Sequence, residues 1–347
     1  MSLFEHKEFD QHEQVVFCHD KETGLKAIIA IHDTTLGPSL GGTRMWNYPS
    51  SAEALTDVLR LSRGMTYKSA LAGLPLGGGK AVIIGDAKTI KTPELMRAYG
   101  RFVNSLSGRY ITAEDVNIRT SDIAYVAEET TFVAGTAEKA GDPSPHTALG
   151  TYLGLKAAAK HKFGSDDLNG IKIAIQGLGA VGYDFAEYCT KEGAQLFVTD
   201  INEEACARAA SELNATVVGL DEIYGLDVDV YAPCALGATV NDDTLKLIKA
   251  KIIAGSANNQ LATPAHDKIV MDMGILYAPD YVINAGGVIH VCSEAANMSR
   301  AETDKRVRDI YDTLDQIFAR SAEEQRPTGE IADQMAREVI ANAKAAR

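Results

Sequence analysis

Along the first third of the chain, the order of apolar and polar residues predicts strands separated by turns. Residues 14–19 and 25–32 are rich in aliphatic and β-branched side chains and predict two strands, with Gly24 in the turn between them. Residues 36–44 contain three glycines and by themselves predict only a turn. Residues 81–84 are all aliphatic and predict a buried strand.

Helix signals fall between these strands. Ser50 and Glu53 form a capping-box pattern, and apolar residues follow at helical spacing, so Lys68 lies late in a long amphipathic helix. Thr92, which is followed by a proline, predicts the start of another helix. Residues 110–113 predict a short strand that ends in acidic residues.

The second half of the chain repeats a strand–helix pattern that is typical of a parallel sheet. Residues 171–176 predict a strand that leads into a glycine motif at residues 177–182 and then into a helix. Residues 195–199 predict the next strand, and Asp200 follows it. The alternation continues through residues 215–218, 228–235, 251–260 and 281–287. From residue 295 onward the pattern is helical, with a break at residues 325–329.

The chain predicts two domains. Its 347 residues exceed one ordinary core, and residues 140–147, with two prolines and a glycine, are the best candidate for a linker. We expect an α/β fold with an N-terminal catalytic domain over residues 1–142, built on a mixed open sheet. A doubly wound Rossmann domain is expected over residues 143–327. A last helix, over about residues 328–347, is expected to pack back on the first domain.

Composition narrows the classes of function. The net charge of −13 argues against binding to nucleic acid, which needs a basic surface to neutralise phosphates. The five cysteines are an odd number without a CxxC pair, which disfavours a disulfide framework or a cysteine zinc site. The histidines form no metal-binding motif, no apolar run is long enough to span a membrane, and the first residues lack the apolar region of a signal peptide. We therefore expect a cytoplasmic protein without a metal ion.

Two lysines are the candidates for chemistry. Lys68 and Lys80 lie twelve residues apart, and the second follows three consecutive glycines, which we interpret as room for a ligand to approach. Burial at the start of a strand disfavours the charged form of a lysine, so Lys80 is a candidate general base. The alternative is a solvated lysine beside a glycine-rich turn. Asp115, beyond the strand at residues 110–113, is either a helix cap or a third member of the site.

The glycine motif predicts a dinucleotide site. Its glycines allow a tight turn and let backbone N–H groups at the helix N-terminus approach a pyrophosphate. Asp200, about 20 residues on, would accept hydrogen bonds from the ribose and repel a 2′-phosphate, which favours NAD over NADP. The alternative is a glycine-rich turn without a nucleotide. Cys234, Asn259 and Asn284 fall near the carboxyl ends of later strands, where ligands bind, although asparagine is also a common turn residue.

These motifs resemble those of the Glu/Leu/Phe/Val dehydrogenases, nicotinamide-dependent enzymes that oxidatively deaminate amino acids, and most of all the short leucine dehydrogenase group. The resemblance runs from about residue 13 to about residue 311. It rests on segments 41–44, 65–68, 77–81, 114–116, the glycine motif, 256–259 and 284–287. It implies that Lys68 binds the substrate carboxylate, that Lys80 activates water as a base and that Asp115 exchanges protons with the substrate nitrogen.

The resemblance also implies the other binding residues. Asn259 would position substrate and nicotinamide, and Thr147 would lie near the nicotinamide carboxamide. The implied substrate-binding set, beside Lys68, is Gly41, Gly42, Leu40, Ala113, Asn259, Val288 and Val291. The implied cofactor-binding set is Gly177, Leu178, Gly179, Ala180, Val181, Gly182, Asp200, Thr147, Cys234 and Asn259. The four aliphatic side chains of the first set match a leucine-type pocket, since aromatic-preferring relatives tend to have a glycine in place of Ala113 and a glutamate enzyme needs a basic residue.

The expected function is the reversible, NAD-dependent oxidative deamination of leucine, valine or isoleucine to the 2-oxo acid and ammonia, by a homo-oligomer. The alternatives are the same reaction on an aromatic amino acid, or an NAD-binding protein that has lost the chemistry. The presence of Lys68, Lys80 and Asp115 argues against the latter. A dehydrogenase of 2-hydroxy acids would need a histidine or arginine pair instead of two lysines. Two departures from the family pattern are His290, where asparagine is usual, and Asn117, where glycine is common.

Overall fold

The computed structural model describes residues 3–135, 141–296 and 298–347. These residues form two compact units. The first unit consists of Met1–Gly141, Val291–Met298 and Ala336–Arg347, and the second of Asp142–His290 and Ser299–Met335. The chain thus leaves the first unit one residue before the predicted boundary.

After residue 142, the points at which the chain passes from one unit to the other differ from the predicted domain boundaries. The segment Val291–Met298, which falls inside the predicted Rossmann domain, belongs to the first unit. Its Val291 Cγ1 lies 3.8 Å from the position that a Cβ would take at Gly135, so this segment lies beside a part of the first unit that is distant in sequence. The last helix joins the first unit only from Ala336 onward.

The described part of the first unit contains a five-stranded mixed sheet. Its strands are β1 (Gln14–Asp20), β2 (Leu25–Asp33), β3 (Ser39–Trp46), β4 (Gly77–Ile84) and β5 (Tyr110–Glu114), in the spatial order β1-β2-β4-β3-β5. β2 runs antiparallel to β1 and β4, whereas β3 runs parallel to β4 and β5. The prediction of a mixed sheet and of the β1–β2 hairpin is therefore confirmed.

The prediction that residues 36–44 form only a turn is wrong, because most of them form β3 between two other strands. The glycines that suggested a turn allow close packing of these strands. A Cβ at Gly41 would lie 1.8 Å from the carbonyl oxygen of Gly79. Glycine is a weak strand former on its own, and here the hydrogen bonds to both neighbouring strands outweigh that weakness.

Helices cover both faces of this sheet. They are α1 (Ser51–Leu71), α2 (Pro93–Ser105) and α3 (Thr120–Ala127). The predicted N-caps are confirmed, since the side chains of Ser50 and Thr92 accept hydrogen bonds from the backbone of α1 and α2. Alternate residues of β2 and β4 face opposite sides, as the pleat requires. On one face the packed residues are Ile28, Ala30, Val82, Ala54, Val58 and Leu59, the last three from α1. On the other they include Ile29, Ile31, Ala81 and Ile83, with Leu95, Met96 and Tyr99 from α2.

The described part of the second unit contains a six-stranded parallel sheet. Its strands are β6 (Lys172–Gln176), β7 (Gln195–Thr199), β8 (Thr216–Val217), β9 (Val230–Pro233), β10 (Ile252–Ile253) and β11 (Leu276–Tyr277). The spatial order is β11-β10-β9-β6-β7-β8, so the chain winds outward in one direction from β6 and in the other from β9. This order is that of a doubly wound Rossmann sheet, which confirms the predicted fold class.

Eight helices lie between residue 144 and the end of the chain in the described residues. They are α4 (Ser144–Phe163), α5 (Ala180–Lys191), α6 (Glu203–Leu213), α7 (Ala265–Asp272), α8 (Asp280–Ile283), α9 (Gly286–Ala295), α10 (Arg300–Glu324) and α11 (Thr328–Ala345). Short 3₁₀ turns lie at Leu3–Glu5, Glu222–Gly225 and Thr244–Lys246.

Two predictions for this half need correction. Residues 281–287, expected to continue the strand pattern, belong mostly to α8 and α9, and the edge strand β11 precedes them. A short apolar run fits a buried helix as well as a buried strand, so its pattern alone cannot separate the two. Of the predicted linker, residues 144–147 form the first turn of α4, and residue 140 lies outside the described residues.

Within the described residues, no helix is long and apolar enough to cross a membrane. Among these same residues, no group of three or more His, Cys, Asp or Glu side chains is arranged to hold a metal ion. The five cysteines, all of which are described, form no disulfide.

Candidate active site

Lys80 and Asp115 form a buried ion pair in the first unit. Lys80 lies on β4 and faces the same side as Val82, the side on which α1 packs. Its side chain is 9% exposed, and its Nζ lies 2.5 Å from Oδ2 of Asp115. Asp115 follows β5 directly and does not cap α3, whose N-cap residue is Arg119. The structure therefore brings together a lysine and a carboxylate from two separate strands.

Arg44 is a second cation beside the same carboxylate. Its Nε lies 3.5 Å from Oδ2 of Asp115. Burial of Asp115 opposes ionisation, but the charges of Lys80 and Arg44 outweigh that effect and hold the pKa of the carboxyl below its usual value. Asp115 is therefore a carboxylate near neutral pH, the form that can accept a proton.

Lys68 lies in the last turn of α1, next to the strand that carries Lys80. α1 approaches β4 closely at Gly78, where a Cβ would lie 2.0 Å from the backbone nitrogen of Thr66. Lys68 and Lys80 each follow this contact by two residues. The structure thus brings the two lysines to neighbouring segments of helix and strand.

The interpretation of the three glycines before Lys80 as room for a ligand is wrong. At residues 77–79 a Cβ would lie between 2.0 and 2.8 Å from atoms of Asp33, Thr66 and Ser39. The protein's own atoms therefore occupy the space that the missing side chains leave. These glycines allow α1 and the neighbouring segments to pack closely on β4, which holds Lys80 in place.

Gly41 and Gly42 lie on β3, next to Asp115. A Cβ at Gly42 would lie 2.9 Å from the Cβ of Asp115, and Gly42 pairs with Ala113 on β5. Leu40 precedes the two glycines on β3, and both Leu40 and Ala113 are buried, with 2% and 7% exposed. Two of the four predicted aliphatic pocket residues are thus close to the Lys80–Asp115 pair.

The other predicted substrate residues fall in different parts of the chain. Val291 belongs to the first unit and Val288 to the second, and both are half-buried on α9. Asn259 is exposed in the second unit, with a φ of 52°. Its carbonyl oxygen accepts a hydrogen bond from the backbone N–H of Ala238 at 2.7 Å. The turn-forming role of asparagine is therefore present at Asn259.

The glycine motif has the geometry that a pyrophosphate needs. Gly177 has a φ of 105°, and a Cβ at Gly182 would lie 2.1 Å from the carbonyl oxygen of Gly177, so the turn is tight. Gly179 is the N-cap residue of α5 and provides no side-chain cap. No described atom lies within 4 Å of the Cβ position of Gly179, so the helix N-terminus is accessible there. Ala180 is exposed, Val181 is half-buried and Leu178 is buried in the same turn.

Asp200 lies beyond β7 and contacts the glycine motif. Its Oδ2 accepts a hydrogen bond from the backbone N–H of Leu178 at 2.6 Å, and its Oδ1 accepts one from the N–H of Asn202 at 2.8 Å. The carboxylate is thus next to the position of the pyrophosphate, as the ribose-binding acid of a Rossmann unit is. The residues present fit a dinucleotide.

Two further predicted cofactor residues also have defined places in the second unit. Cys234 follows β9, and its Cβ lies 3.3 Å from the position that a Cβ would take at Gly182. Thr147 lies in the first turn of α4 and donates its hydroxyl to the carbonyl oxygen of Pro143 at 3.1 Å. A Cβ at Gly287 would lie 2.7 Å from this hydroxyl oxygen. Cys234 is therefore beside the glycine motif, and Thr147 is beside the start of α9.

The structure explains why asparagine is tolerated at Asn117, and it shows a ring contact for His290, the other departure from the family pattern. Asn117 has a φ of 61°, the left-handed conformation that favours glycine, and its side-chain amide donates to the carbonyl oxygen of Met45 at 3.0 Å. His290 stacks on His146, with ring centroids 4.5 Å apart. Burial and the neighbouring His290 lower the pKa of His146.

Two residues that the sequence did not single out complete the surroundings of Asp115. Arg44 stands at the end of the quoted motif 41–44 but had no assigned role, and Asp57 lies on α1. A strand position two residues after Gly42 faces the same side as Gly42, which was the available signal for Arg44. No pattern in the sequence links Asp57 to this site, because the contact depends on how α1 packs.

The fold and the site together define a class of protein. A doubly wound parallel sheet supplies a dinucleotide site, and the first unit supplies a buried lysine–aspartate pair. This is the class of nucleotide-dependent oxidoreductases.

Comparison with known proteins identifies the family. Residues 12–132 match the family model described as Glu/Leu/Phe/Val dehydrogenase, dimerisation domain, and residues 197–347 match the model described as Glutamate/Leucine/Phenylalanine/Valine dehydrogenase. The chain belongs to this family of amino acid dehydrogenases, which act on CH–NH2 donors with a nicotinamide cofactor.

Individual relatives cover nearly the whole chain. Leucine dehydrogenase from Geobacillus stearothermophilus is 54% identical over 100% of this chain and 95% of its own length. L-tryptophan dehydrogenase from Nostoc punctiforme is 49% identical over 99% of this chain and 98% of its own. Phenylalanine dehydrogenase from Caldalkalibacillus thermarum is 46% identical over 97% of this chain and 94% of its own length. The crystal structure of the Nostoc enzyme has a TM-score of 0.87 and 48% identity, covering 96% of this chain and 97% of that one.

Proposed function

We propose that this protein catalyses the NAD-dependent oxidative deamination of aliphatic L-amino acids, leucine, valine and isoleucine, to their 2-oxo acids and ammonia. The observation that carries the proposal is the buried Lys80–Asp115 ion pair beside Leu40 and Ala113. The pair supplies two groups that move protons, and the aliphatic side chains suit an apolar substrate. The identity to leucine dehydrogenases supports the same substrate class.

The proposed steps assign one task to each residue. Lys68 binds the substrate carboxylate. Asp115, ionised beside its two cations, takes the proton that the substrate ammonium group loses. The bound nicotinamide supplies the acceptor for the hydride that leaves Cα. Lys80, in its neutral form, takes a proton from the water that attacks the imine carbon. Asp115 then returns its proton to the nitrogen and is again a carboxylate. As ammonia leaves, this carboxylate takes the proton of the carbinol oxygen, which becomes the carbonyl of the 2-oxo acid.

The remaining assignments are part of the same proposal. Asn259, Val288 and Val291 complete the substrate site, and Thr147 and Cys234 contribute to the cofactor site. Asp200 selects NAD, because its carboxylate next to the glycine motif would repel a 2′-phosphate. The family model described as a dimerisation domain supports a homo-oligomer. The cytoplasmic location stays a prediction.

A panel of substrates tests the proposal. The purified protein is mixed at alkaline pH with NAD or NADP and with leucine, valine, isoleucine, phenylalanine, tryptophan or glutamate, and the absorbance of the reduced cofactor is followed. We expect kcat/KM to be highest for the three aliphatic amino acids with NAD. The Asp115→Asn variant is the control that links the signal to the site.

Two results would contradict the proposal. A clear preference for phenylalanine or tryptophan would assign the protein to the aromatic branch, which the relatives at 49% and 46% identity represent. No reduced cofactor with any of the amino acids would favour an NAD-binding protein without the chemistry.

A further inference from the structure

Arg44 connects Asp115 to a second acidic residue on α1. While its Nε faces Asp115, its Nη1 lies 3.0 Å from Oδ2 of Asp57. The hydroxyl of Tyr48 donates to the same oxygen of Asp57 at 2.6 Å. Arg44, which lies on β3, is thus held between two carboxylates, Asp57 from α1 and Asp115 from the segment after β5. We propose that Arg44, oriented by Asp57 and Tyr48, is a positioning residue that keeps Asp115 ionised when Lys80 is neutral, until Asp115 takes the proton of the substrate ammonium group.

This inference rests on the proposed function, because it assumes that Asp115 and Lys80 exchange protons. In the resting site two cations stabilise the carboxylate of Asp115. When Lys80 is neutral, one of the two positive charges beside Asp115 is lost. Without Arg44 as well, the Asp115 carboxyl group would keep a proton and could not accept the one from the substrate ammonium group. Arginine keeps its charge at every pH at which proteins are folded, so Arg44 supplies a permanent charge that lysine cannot.

Two cations of the described residues, Lys80 and Arg44, have defined contacts with Asp115. Lys80 faces the carboxylate from β4 and Arg44 faces it from β3. From β5, Tyr110 is close enough to be affected by the charge of Asp115, but burial raises the pKa of Tyr110 to about 12, so it is neutral. Tyr48 is neutral as well, since burial and Asp57 raise its pKa. Asp57 is an acid that contacts Arg44 from α1.

The surroundings also allow Arg44 to be replaced without loss of the fold. Arg44 and Asp57 line a cavity of about 680 Å³ that also contains Tyr48 and Arg60. The side chain of Arg44 is 21% exposed. A shorter side chain at position 44 therefore enlarges an existing cavity and leaves no sealed void in the core.

The test compares the titration of Asp115 in the parent protein with that in Arg44→Gln and Arg44→Lys. The carbonyl stretch of the protonated carboxyl is followed by pH-difference infrared spectroscopy on the full-length protein labelled with ¹³C-aspartate, and Asp115→Asn identifies its band. In Arg44→Gln we expect the titration of Asp115 to move up by about one pH unit or more, since an adjacent arginine lowers an aspartate pKa by about 1–3 units. The acid limb of kcat/KM for leucine should move in the same direction.

Arg44→Lys retains a charge, so its shift should be smaller than that of Arg44→Gln. The matched control is Arg60→Gln, an exposed arginine that lines the same cavity, and it should titrate as the parent does. NADH binding and the midpoint of thermal unfolding confirm that each variant is folded. Unchanged titration of Asp115 in Arg44→Gln, or an equal shift in Arg44→Lys, would overturn the inference.

The outcomes separate this inference from the proposed function. If Asp115→Asn keeps full activity, the proposed role of Asp115 fails, and the inference fails with it. If Asp115→Asn is inactive while Arg44→Gln titrates and turns over as the parent does, only the inference fails.

Discussion

At the scale of single residues, the chemistry depends on partners that are far apart in sequence. Lys80 is buried on β4, and Asp115 approaches its ammonium group from beyond β5. Asp115 is ionised in spite of burial because two cations from two other strands face it. Neither lysine nor aspartate has these properties on its own.

Replacing Lys80 by alanine tests its role as the base. We expect Lys80→Ala to lose about 10²–10⁴-fold in kcat for leucine, the range that general base catalysis supplies, while it still binds NADH. Steady-state kinetics and NADH fluorescence measure the two properties. Lys26→Ala, an exposed lysine on β2 of the same sheet, is the control and should be unaffected. Near-normal turnover in Lys80→Ala would remove Lys80 from this role.

Asp200 offers a test of cofactor choice. Removing its negative charge should improve kcat/KM with NADP relative to NAD, because the repulsion of a 2′-phosphate is lost. Asp200→Ala removes both the charge and the hydrogen bonds to Leu178 and Asn202, whereas Asp200→Asn removes the charge and keeps an acceptor. Both variants should therefore show the relaxed preference, and Asp200→Asn should bind cofactor more tightly than Asp200→Ala. If the ratio of kcat/KM with NADP to kcat/KM with NAD is unchanged in both variants, other residues determine the choice of cofactor.

At the scale of secondary-structure elements, the glycines position the site by letting elements approach. β4 packs against α1 at Gly78, and β3 packs against β4 at Gly41. These contacts fix the helix that carries Lys68 and the strand that carries Lys80 relative to each other. The same residue type therefore has a packing role in these strands and a turn-forming role at Gly177.

Two glycine-to-alanine substitutions, one at the contact between β4 and α1 and one on α1 away from it, test this packing. In Gly78→Ala the new Cβ would lie 2.0 Å from the backbone of Thr66, so we expect a loss of about 1–3 kcal/mol in the free energy of unfolding. The matched control is Gly64→Ala in α1. There, apart from the adjoining residues and the nearby backbone of the helix itself, no described atom lies within 4 Å of the Cβ position. There we expect a gain of about 0.5–1 kcal/mol, because alanine favours a helix over glycine. Denaturant unfolding measures both, and equal stability of the two variants would contradict the packing argument.

At the scale of the whole molecule, histidines whose pKa is lowered link stability to pH. Burial lowers the pKa of His12, His32, His146 and His161, which lie in both units. Asp267 acts in the opposite sense, because burial raises its pKa to about 6 and its protonated form is favoured in the folded state. These histidines and Asp267 therefore contribute to the acid dependence of stability with opposite signs.

His12 isolates the histidine contribution. Burial and the nearby His32 lower its pKa from 6.5 to about 4, and its Nε2 lies 3.0 Å from the carbonyl oxygen of Leu59. Between these pH values the unfolded chain binds a proton that the folded protein does not. The stability from neutral His12 is thus fully present above pH 6.5 and is lost as the pH falls toward 4, by about 3 kcal/mol at most.

The measurement is the thermal unfolding midpoint from neutral pH down to about pH 4. His12→Gln keeps an amide that can donate to the same carbonyl and does not titrate, so its midpoint should fall less steeply with pH than that of the parent. His19→Gln, an exposed histidine on β1, should follow the parent. The same slope for both variants would show that His12 does not contribute.

Local signals in the sequence predicted the elements that local chemistry controls. Side-chain caps start α1 and α2 where Ser50 and Thr92 stand, and the hairpin of β1 and β2 follows from Gly24 and its flanking strands. The Rossmann unit was predictable because its glycines and Asp200 lie at a spacing that one strand, one turn and one helix dictate. These predictions hold because each depends on residues close together in the chain.

Tertiary structure decided the features that depend on distant contacts. Glycines in isolation indicate a turn, but hydrogen bonds from β4 and β5 make residues 39–46 a strand. The segment Val291–Met298 belongs to the first unit because of what it packs on. The sequence alone determined that two lysines, an aspartate and a dinucleotide motif are present. The structure decided that Arg44 and Asp57 accompany them, because three strands and one helix must be packed before those charges meet.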